Sequence, residues 1–358
     1  MTSVVPILAV AGGFAIVAAS LFDIFEAVIL PRAASVRLRL SSSLVRTTWP
    51  LWSRLGLRID DDDSRENFLG AYAPLALISF LFTWGIFCIV GYGLILYGIR
   101  DQLKPVPNFG EAMYFAGTSF LTIGYGDIVP HGGVARVVSL AAGASGFAIV
   151  AIVTTFLFSV FGGFQTRERF VVTFGTRAGA PPSGVTLLEA YAALGLASDV
   201  DRVFEEGMNW AATVLETHLA YPILAYFRSS HDAESWVGTL GALLDASTLK
   251  ITLIDDGSAG HAKLFNILGR HLVRDMSRTF RLDNDREAGV ERYEFDAARL
   301  RLQAAGWAVR DADAAWEKFA EVRSSYASPL NAMARYWRIP PAQWIGDRSL
   351  LSKPHSRT

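Results

Sequence analysis

The sequence predicts an all-α membrane protein. It has three transmembrane helices, a short re-entrant helix with a glycine-containing turn between the second and third, and a mostly helical cytoplasmic domain. Three observations predict this class. The mean hydropathy of the 358 residues is +0.30 and only 19% of them are charged, which is too apolar for an ordinary soluble chain. The charges are unevenly shared, with 20 in residues 1–163 and 47 in residues 164–358, so the two halves face different solvents. The stretches Met1–Phe22, Asn67–Ile99 and Val137–Thr166 carry no charge at all, and each reaches the ~20 residues a helix needs to cross a bilayer. The division that follows is 1–66, 67–163 and 164–358.

The spans are expected at about 4–30, 70–98 and 135–162. The first lacks Lys or Arg ahead of its apolar run and continues past Asp23 and Glu26, unlike a cleaved signal peptide. Those two acids lie three apart near the inner end of the span. Intramembrane acids are functional candidates, while Arg32 and Arg37 offer an interfacial ion-paired cluster instead. The segment 31–59 holds Arg32, Arg37, Arg39, Arg46, Arg54 and Arg58 with no acid. Basic loops stay inside, so this segment and the C-terminal half are expected in the cytoplasm and the N-terminus outside. Arginine far outnumbers lysine in the chain, a composition that suits a bacterial plasma (inner) membrane. Trp49 and Trp52 beside the arginines suit a helix lying on an anionic leaflet, which makes membrane lipids the expected partners. Asp60–Asp63 favour a helix N-terminus. None of the three charge-free runs carries a basic residue, so a voltage-sensing helix is not expected.

Between the second and third spans, residues 108–130 read NFGEAMYFAGTSFLTIGYGDIVP. Gly110–Leu121 suits a helix bearing Tyr114, Phe115 and Phe120, too short to span the membrane. Thr122–Asp127, TIGYGD, has glycine at alternate positions, Gly124 and Gly126, where unusual backbone angles cost little. Irregular backbone at membrane depth is tolerated only against protein or a water-filled cavity.

TIGYGD resembles the selectivity-filter signature of potassium channels, and the order helix, short helix, filter, helix over about 71–163 is similar to that family's pore module. The resemblance implies a passive path for K+, the transported ion, with no cofactor. Rings of backbone carbonyls would replace the ion's hydration shell. The carbonyls of Thr122, Ile123, Gly124 and Tyr125 would supply them, the Thr122 hydroxyl an inner ring and Gly126 the outer turn. Tyr125 would brace the filter against aromatic residues of the pore helix. One filter strand per chain implies a homotetramer. Thr118 stands where some members carry a glutamate that supports the aspartate after the filter, so Asp127 needs another partner, Tyr114 or water. Gly146 falls at the family's inner-helix hinge, with Gly143 one turn earlier. A hinge and close helix packing are both open for these glycines. Gly162–Gly163 reads as a helix end, and His131 lies near the outer mouth.

In the C-terminal half, FVVTFGTRAG at 170–179 suits a short strand and turn, and APPSG at 180–184 a linker. Apolar residues then recur at helical spacing through about 185–195, 199–228, 232–254, 260–279, 288–305 and 311–337. No strand followed by GxGxxG is present, so a nucleotide-binding Rossmann regulator is not expected. The net charge of −1 gives no nucleic-acid signature. The single cysteine, Cys88, excludes an internal disulfide. No nucleophile–base constellation points to an enzyme. Glu216–Trp236 is dense in His218, Tyr221, Tyr226, Arg228, His231 and Asp232. Glu216 and His218 are only two apart and Pro222 interrupts the helix, so a polar network or subunit contact is expected there rather than a metal site. This stretch and DIFEAVILPR at 23–32 resemble a bacterial group of ion-channel-like membrane proteins with a helical C-terminal domain. The leading reading is a homotetrameric potassium channel whose cytoplasmic domain meets an unspecified partner or ligand. The alternative is a membrane-anchored sensor or interaction module with little conductance, and a weakly selective cation channel is a smaller variation.

Overall fold

A computed structural model describes residues 4–29, 40–229, 231, 233–283 and 289–345. Among them the fold is helical, and its only paired strands are the two-residue segments β1 (Leu103–Lys104) and β2 (Val129–Pro130). The chain forms two compact units, one of Met1–Arg54 with Ala71–Phe161, the other of Leu55–Gly70 with Gly162–Thr358. The segment 55–70 thus belongs with the C-terminal half rather than with its sequence neighbours.

The first unit holds α1 (Val4–Ile24), α2 (Leu40–Gly56), α4 (Tyr72–Gly98), α5 (Phe109–Phe120) and the start of α6 (Gly133–Ala178). The helices α1, α4 and α6 are long and apolar enough to cross a membrane. Glycines let α1 and α4 touch along their backbones. A Cβ added to Gly13 would collide with the Gly91 carbonyl oxygen, and one on Gly98 would sit 2.8 Å from the Pro6 carbonyl oxygen. Small residues at such positions permit close helix approach without any hydrophobic drive between the helices. The outward apolar side chains Ile7, Leu8, Phe14, Phe82 and Ile86 are more than half exposed, as a lipid-facing surface requires.

One interfacial expectation changes here, that for Trp49, while the arginines expected beside Asp23 and Glu26 fall outside the described residues. The Trp84 indole N–H donates to Asp23 Oδ2 at 2.7 Å with both side chains buried, so Asp23 has a partner within the helix bundle. Glu26 is also buried and lies in a single π-helical turn, Phe25–Ile29, that follows α1. Arg32, Arg37 and Arg39 lie outside the described residues. Trp49, expected at a lipid surface, is buried edge-on against Tyr72 at 4.9 Å. The Tyr72 hydroxyl is 2.9 Å from Thr48 Oγ1, so α2 is tied to the start of α4.

The second unit contains α3 (Asp62–Gly70), the end of α6, α7 (Gly184–Ala193), α8 (Val200–Ala220), α9 (Trp236–Thr252), α10 (Gly260–Phe280), α11 (Arg292–Ala304) and α12 (Ala312–Tyr336). Asp61 Oδ2 accepts from the Ser64 N–H and caps α3, as the acidic run leads one to expect. Three boundaries differ from expectation. The helix α6 does not end at Gly162–Gly163 but runs on to Ala178, so 170–178 is helix rather than strand. Val171 and Phe174 are buried and Phe170 stacks on Trp210 at 4.9 Å, so the β-branched run is recruited by helical packing. APPSG is a packed corner, with Pro182, Ser183 and Gly184 buried and Ser183 Oγ accepting from the Thr186 N–H. The helix expected over 199–228 stops at Ala220, and Pro222, which lacks an N–H, opens the 3-10 turn Pro222–Tyr226.

At the centre of this unit lies α9, buried along nearly its whole length, with α7, α8, α10 and α12 packed around it. It carries polar groups that must be satisfied internally. Asp245 Oδ1 accepts from Arg323 Nε at 3.0 Å and from the Tyr326 hydroxyl at 2.7 Å. Asn266 donates to Ser247 Oγ at 2.9 Å.

Candidate functional site

The segment between α4 and α6 is pinned at both ends. The β1–β2 pair sets Leu103 opposite Pro130 and Lys104 opposite Val129. Beside it, the Gln102 carbonyl accepts from the His131 N–H at 3.0 Å, and Gln102 Oε1 accepts from the Ala135 N–H at 3.2 Å in the first turn of α6. A Cβ at Gly132 would run into the Gln102 side chain. These contacts hold the whole of 103–130 as a closed loop, and sequence reasoning missed the part Gln102 plays.

Within it, α5 starts at a reciprocal cap. Asn108 Oδ1 accepts from the Glu111 N–H at 3.0 Å, and Glu111 Oε2 accepts from the Asn108 N–H at 2.7 Å, a capping box. The other end of α5 meets α6, where a Cβ at Gly146 would collide with the Phe120 carbonyl oxygen and one at Gly143 would lie 3.4 Å from the Ser119 carbonyl oxygen. The helix α6 runs without a break through both glycines. The Tyr92 hydroxyl, 2.7 Å from Ser145 Oγ, joins α4 to α6 at the same level.

The turn after α5 is folded under it. The Thr118 carbonyl accepts from the N–H groups of Ile123 at 2.8 Å and Gly124 at 3.3 Å, and the Ser119 carbonyl accepts from Thr122 at 3.1 Å. The Thr118 side chain is buried and donates to the Phe115 carbonyl at 3.1 Å. It therefore supports α5 itself rather than reaching Asp127. Backbone φ is positive at every second residue: 57° at Thr122, 60° at Gly124 and 81° at Gly126. Glycine adopts such angles freely, but for β-branched Thr122 this is a strained conformation, unmarked in the sequence. The Tyr114 and Tyr125 rings stack in parallel with centroids 6.4 Å apart, and the Tyr114 hydroxyl interacts with the Asp127 carboxylate. The structure thus brings Tyr114, Tyr125 and Asp127 together at one end of the turn. Ile123 and Tyr125 are 49% and 68% exposed, and a Cβ at Gly124 or Gly126 would meet nothing within 4 Å. His131 is exposed.

The second unit holds a buried polar cluster that sequence reasoning located only in part. Arg167, on α6, is fully buried. It donates to the carbonyls of Leu224 at 2.9 Å and Phe227 at 2.8 Å, pairs with Glu168, and lies 3.3 Å from His218 Nε2. Burial, reinforced by the Arg167 charge, pushes the His218 pKa well below its ordinary value. His218 is therefore a neutral interior group, and Glu216 is exposed. Among the described residues no group of three His, Cys, Asp or Glu side chains could hold a metal. Asp232 lies outside the described residues.

Residues 79–162, which take in most of α4, the pinned loop and the membrane part of α6, match a family described as ion channel. The chain is also 24% identical over 206 residues to an uncharacterized membrane protein of Bacillus subtilis, YdjJ, a match covering 55% of this chain and 58% of that protein. The chain thus spans a little over half the length of this curated relative. No solved structure matches it.

Proposed function

We propose that the protein is a potassium-selective channel that conducts K+ passively as a homotetramer. The observation that carries this reading is the backbone of Thr122–Gly126, with positive φ at alternate residues. In an ordinary strand successive carbonyls point to opposite sides. Switching the hand of every second residue turns them toward a common side, which gives a dehydrating ion the row of ligands it needs. In this reading the carbonyls of Thr122, Ile123, Gly124 and Tyr125 bind K+, Gly126 makes the outer turn, and Tyr114 and Asp127 brace Tyr125. Gly143 and Gly146 let α6 lie against the end of α5. Four copies around an axis close the ring, and the exposure of this turn in one chain supports such an assembly. Arg46, Arg54 and Arg58, all exposed, favour an anionic cytoplasmic leaflet, with the second unit on that side and the N-terminus outside.

The deciding experiment is reconstitution into liposomes under opposed K+ and Na+ gradients, with Gly124→Ala as the control. A reversal potential near that of K+, lost in the variant, is the expected result. A reversal midway between the two ions would replace the selective pore by a weakly selective one. No current from intact tetramers, nor from a form truncated after α6, would favour a sensor module.

A further inference from the structure

We propose that the outer face of α11 docks a second copy of this chain, the two helices packing antiparallel about a two-fold axis. The opposite face anchors α11 to its own unit. There Phe295, Ala298 and Leu302 are buried, and the Phe295 ring lies 5.0 Å from that of Phe319. The outer face carries Tyr293, Ala297, Leu300 and Ala304, at spacings of four, three and four residues. That spacing is the apolar seam of a short coiled coil. Tyr293 is 72% exposed and Leu300 57%, and both alanines are exposed, so no described part of the same chain covers the seam.

Two features of the seam select its occupant and the direction of packing. The first is size. In an antiparallel pair centred between Ala297 and Leu300, Tyr293 faces the second copy's Ala304 and Leu300 faces the second copy's Ala297. Every layer then sets a large side chain against a small one, which lets the helices interdigitate. A parallel pair would stack Tyr293 on Tyr293 and set Ala297 against Ala297, alternating bulk with voids that a packed interface does not keep.

The second feature is charge. On a helix, Glu294 and Arg301 flank this seam along one edge, and Asp296 and Gln303 along the other. A two-fold axis between antiparallel helices brings like edges together. Glu294 therefore meets the second copy's Arg301, twice over by symmetry, and the Asp296 carboxylate accepts from the second copy's Gln303 amide. A parallel pair would instead set Glu294 beside Asp296, two like charges. Both edge groups are already steadied within their own chain. Glu294 Oε2 accepts from the Glu291 N–H at 2.9 Å, and Arg301 pairs with Glu189 while its side chain stays 44% exposed. A face complementary to itself in both size and charge is what an isologous contact requires.

The seam is short, so its area falls below that of interfaces that hold free proteins together unaided. Copies already joined elsewhere in one assembly raise the effective concentration and make such a contact sufficient. This consequence rests on the channel reading. In a four-chain assembly, α11 pairing joins the second units two by two, so they are related by two-fold rather than four-fold symmetry.

The test is cross-linking of the full-length protein in detergent, read on denaturing gels without reductant. Tyr293→Cys and Ala304→Cys are placed together in one chain. They lie about 16 Å apart along the helix axis, too far to join within it. The native Cys88 is buried, and the parent chain serves as the blank. Under mild oxidation the double variant is expected to give covalent dimers and no larger species, while each single variant stays monomeric on the gel. Adding Leu300→Lys, at a position exposed in the single chain, should cut the dimer fraction about tenfold or more and leave the circular dichroism unchanged. Three results would each overturn the proposal: no covalent dimer, dimers from Tyr293→Cys alone as readily as from the double variant, or a ladder reaching tetramers, which marks a head-to-tail contact. The readout is a covalent dimer rather than an ion flux, so a chain that proves not to conduct leaves the result standing.

Discussion

The Trp84 indole donates to the Asp23 carboxylate at 2.7 Å inside the membrane-spanning bundle. This bond joins α1, which also meets α4 through close glycine contacts, to the middle of α4. An intramembrane acid is tolerated when it faces the bundle interior and a donor. Trp84→Phe keeps the ring and removes the donor, leaving a buried acceptor short of one bond. A loss of about 1–3 kcal/mol is expected, seen as earlier thermal unfolding in detergent. Asp23→Asn keeps the acceptor oxygen and should cost less than Trp84→Phe.

Gly146 and Gly143 separate the hinge reading from the packing reading. Where a methyl group at Gly146 would collide with the Phe120 carbonyl, one at Gly143 stands at ordinary contact distance. Gly146→Ala should therefore cost about 1–3 kcal/mol through overpacking and reduce the yield of folded protein, with Gly143→Ala near the parent. The measurement is detergent-solubilised yield and thermal unfolding of both variants. Full stability of Gly146→Ala with altered open probability would instead support a hinge.

Arg167 fastens the last part of α6 to the turn at 222–227 through two carbonyls. Arg167→Ala leaves Glu168 with the Ser229 hydroxyl alone, strips the Leu224 and Phe227 carbonyls of their donor and empties a buried site, so a loss of about 3–5 kcal/mol is expected. Arg167→Lys keeps the charge without the planar fork and should fall between. Hydrogen exchange over residues 222–227 should accelerate in both variants.

His218 predicts a pH dependence. Its pKa in the folded protein is depressed well below the ordinary 6.5. Below pH 6.5 the unfolded chain therefore takes up a proton that the folded chain refuses, and stability is lost as pH falls. Between pH 6.5 and the depressed value the slope should approach about 1.4 kcal/mol per pH unit, and above pH 7 it should vanish. His218→Gln should flatten that part of the profile, measured as unfolding temperature from pH 7.5 to pH 5.

Much of the architecture was legible along the chain because its signals are local. A charge-free run long enough to cross a bilayer needs no tertiary information, and α1, α4 and α6 lie where those runs are. The apolar spacing of the C-terminal half marks α7 through α12 to within a few residues at most ends. The exception is the helix expected to reach 228, because Pro222 removed a hydrogen bond that the apolar pattern does not register. The turn at Thr122–Gly126 was marked by its glycines, though not by the strain at Thr122, since threonine in a left-handed conformation is imposed by its surroundings.

By itself the sequence determined that three stretches are long and apolar enough to cross a membrane, that a short helix and an alternating-glycine turn lie between the last two, and that a helical unit follows. Each of these depends on composition and spacing over a few residues. Only the tertiary structure decided that Gly146 is a contact glycine beneath Phe120, that Tyr114 rather than Thr118 meets Asp127, that α6 continues through Gly162–Gly163, and that Arg228, Glu234 and Trp236 line one cavity with α3. Those facts join residues tens to more than a hundred positions apart or turn on what packs around them. Which polar group meets which, and which glycine has a neighbour, is set by packing, and packing is not written in any local stretch of the chain.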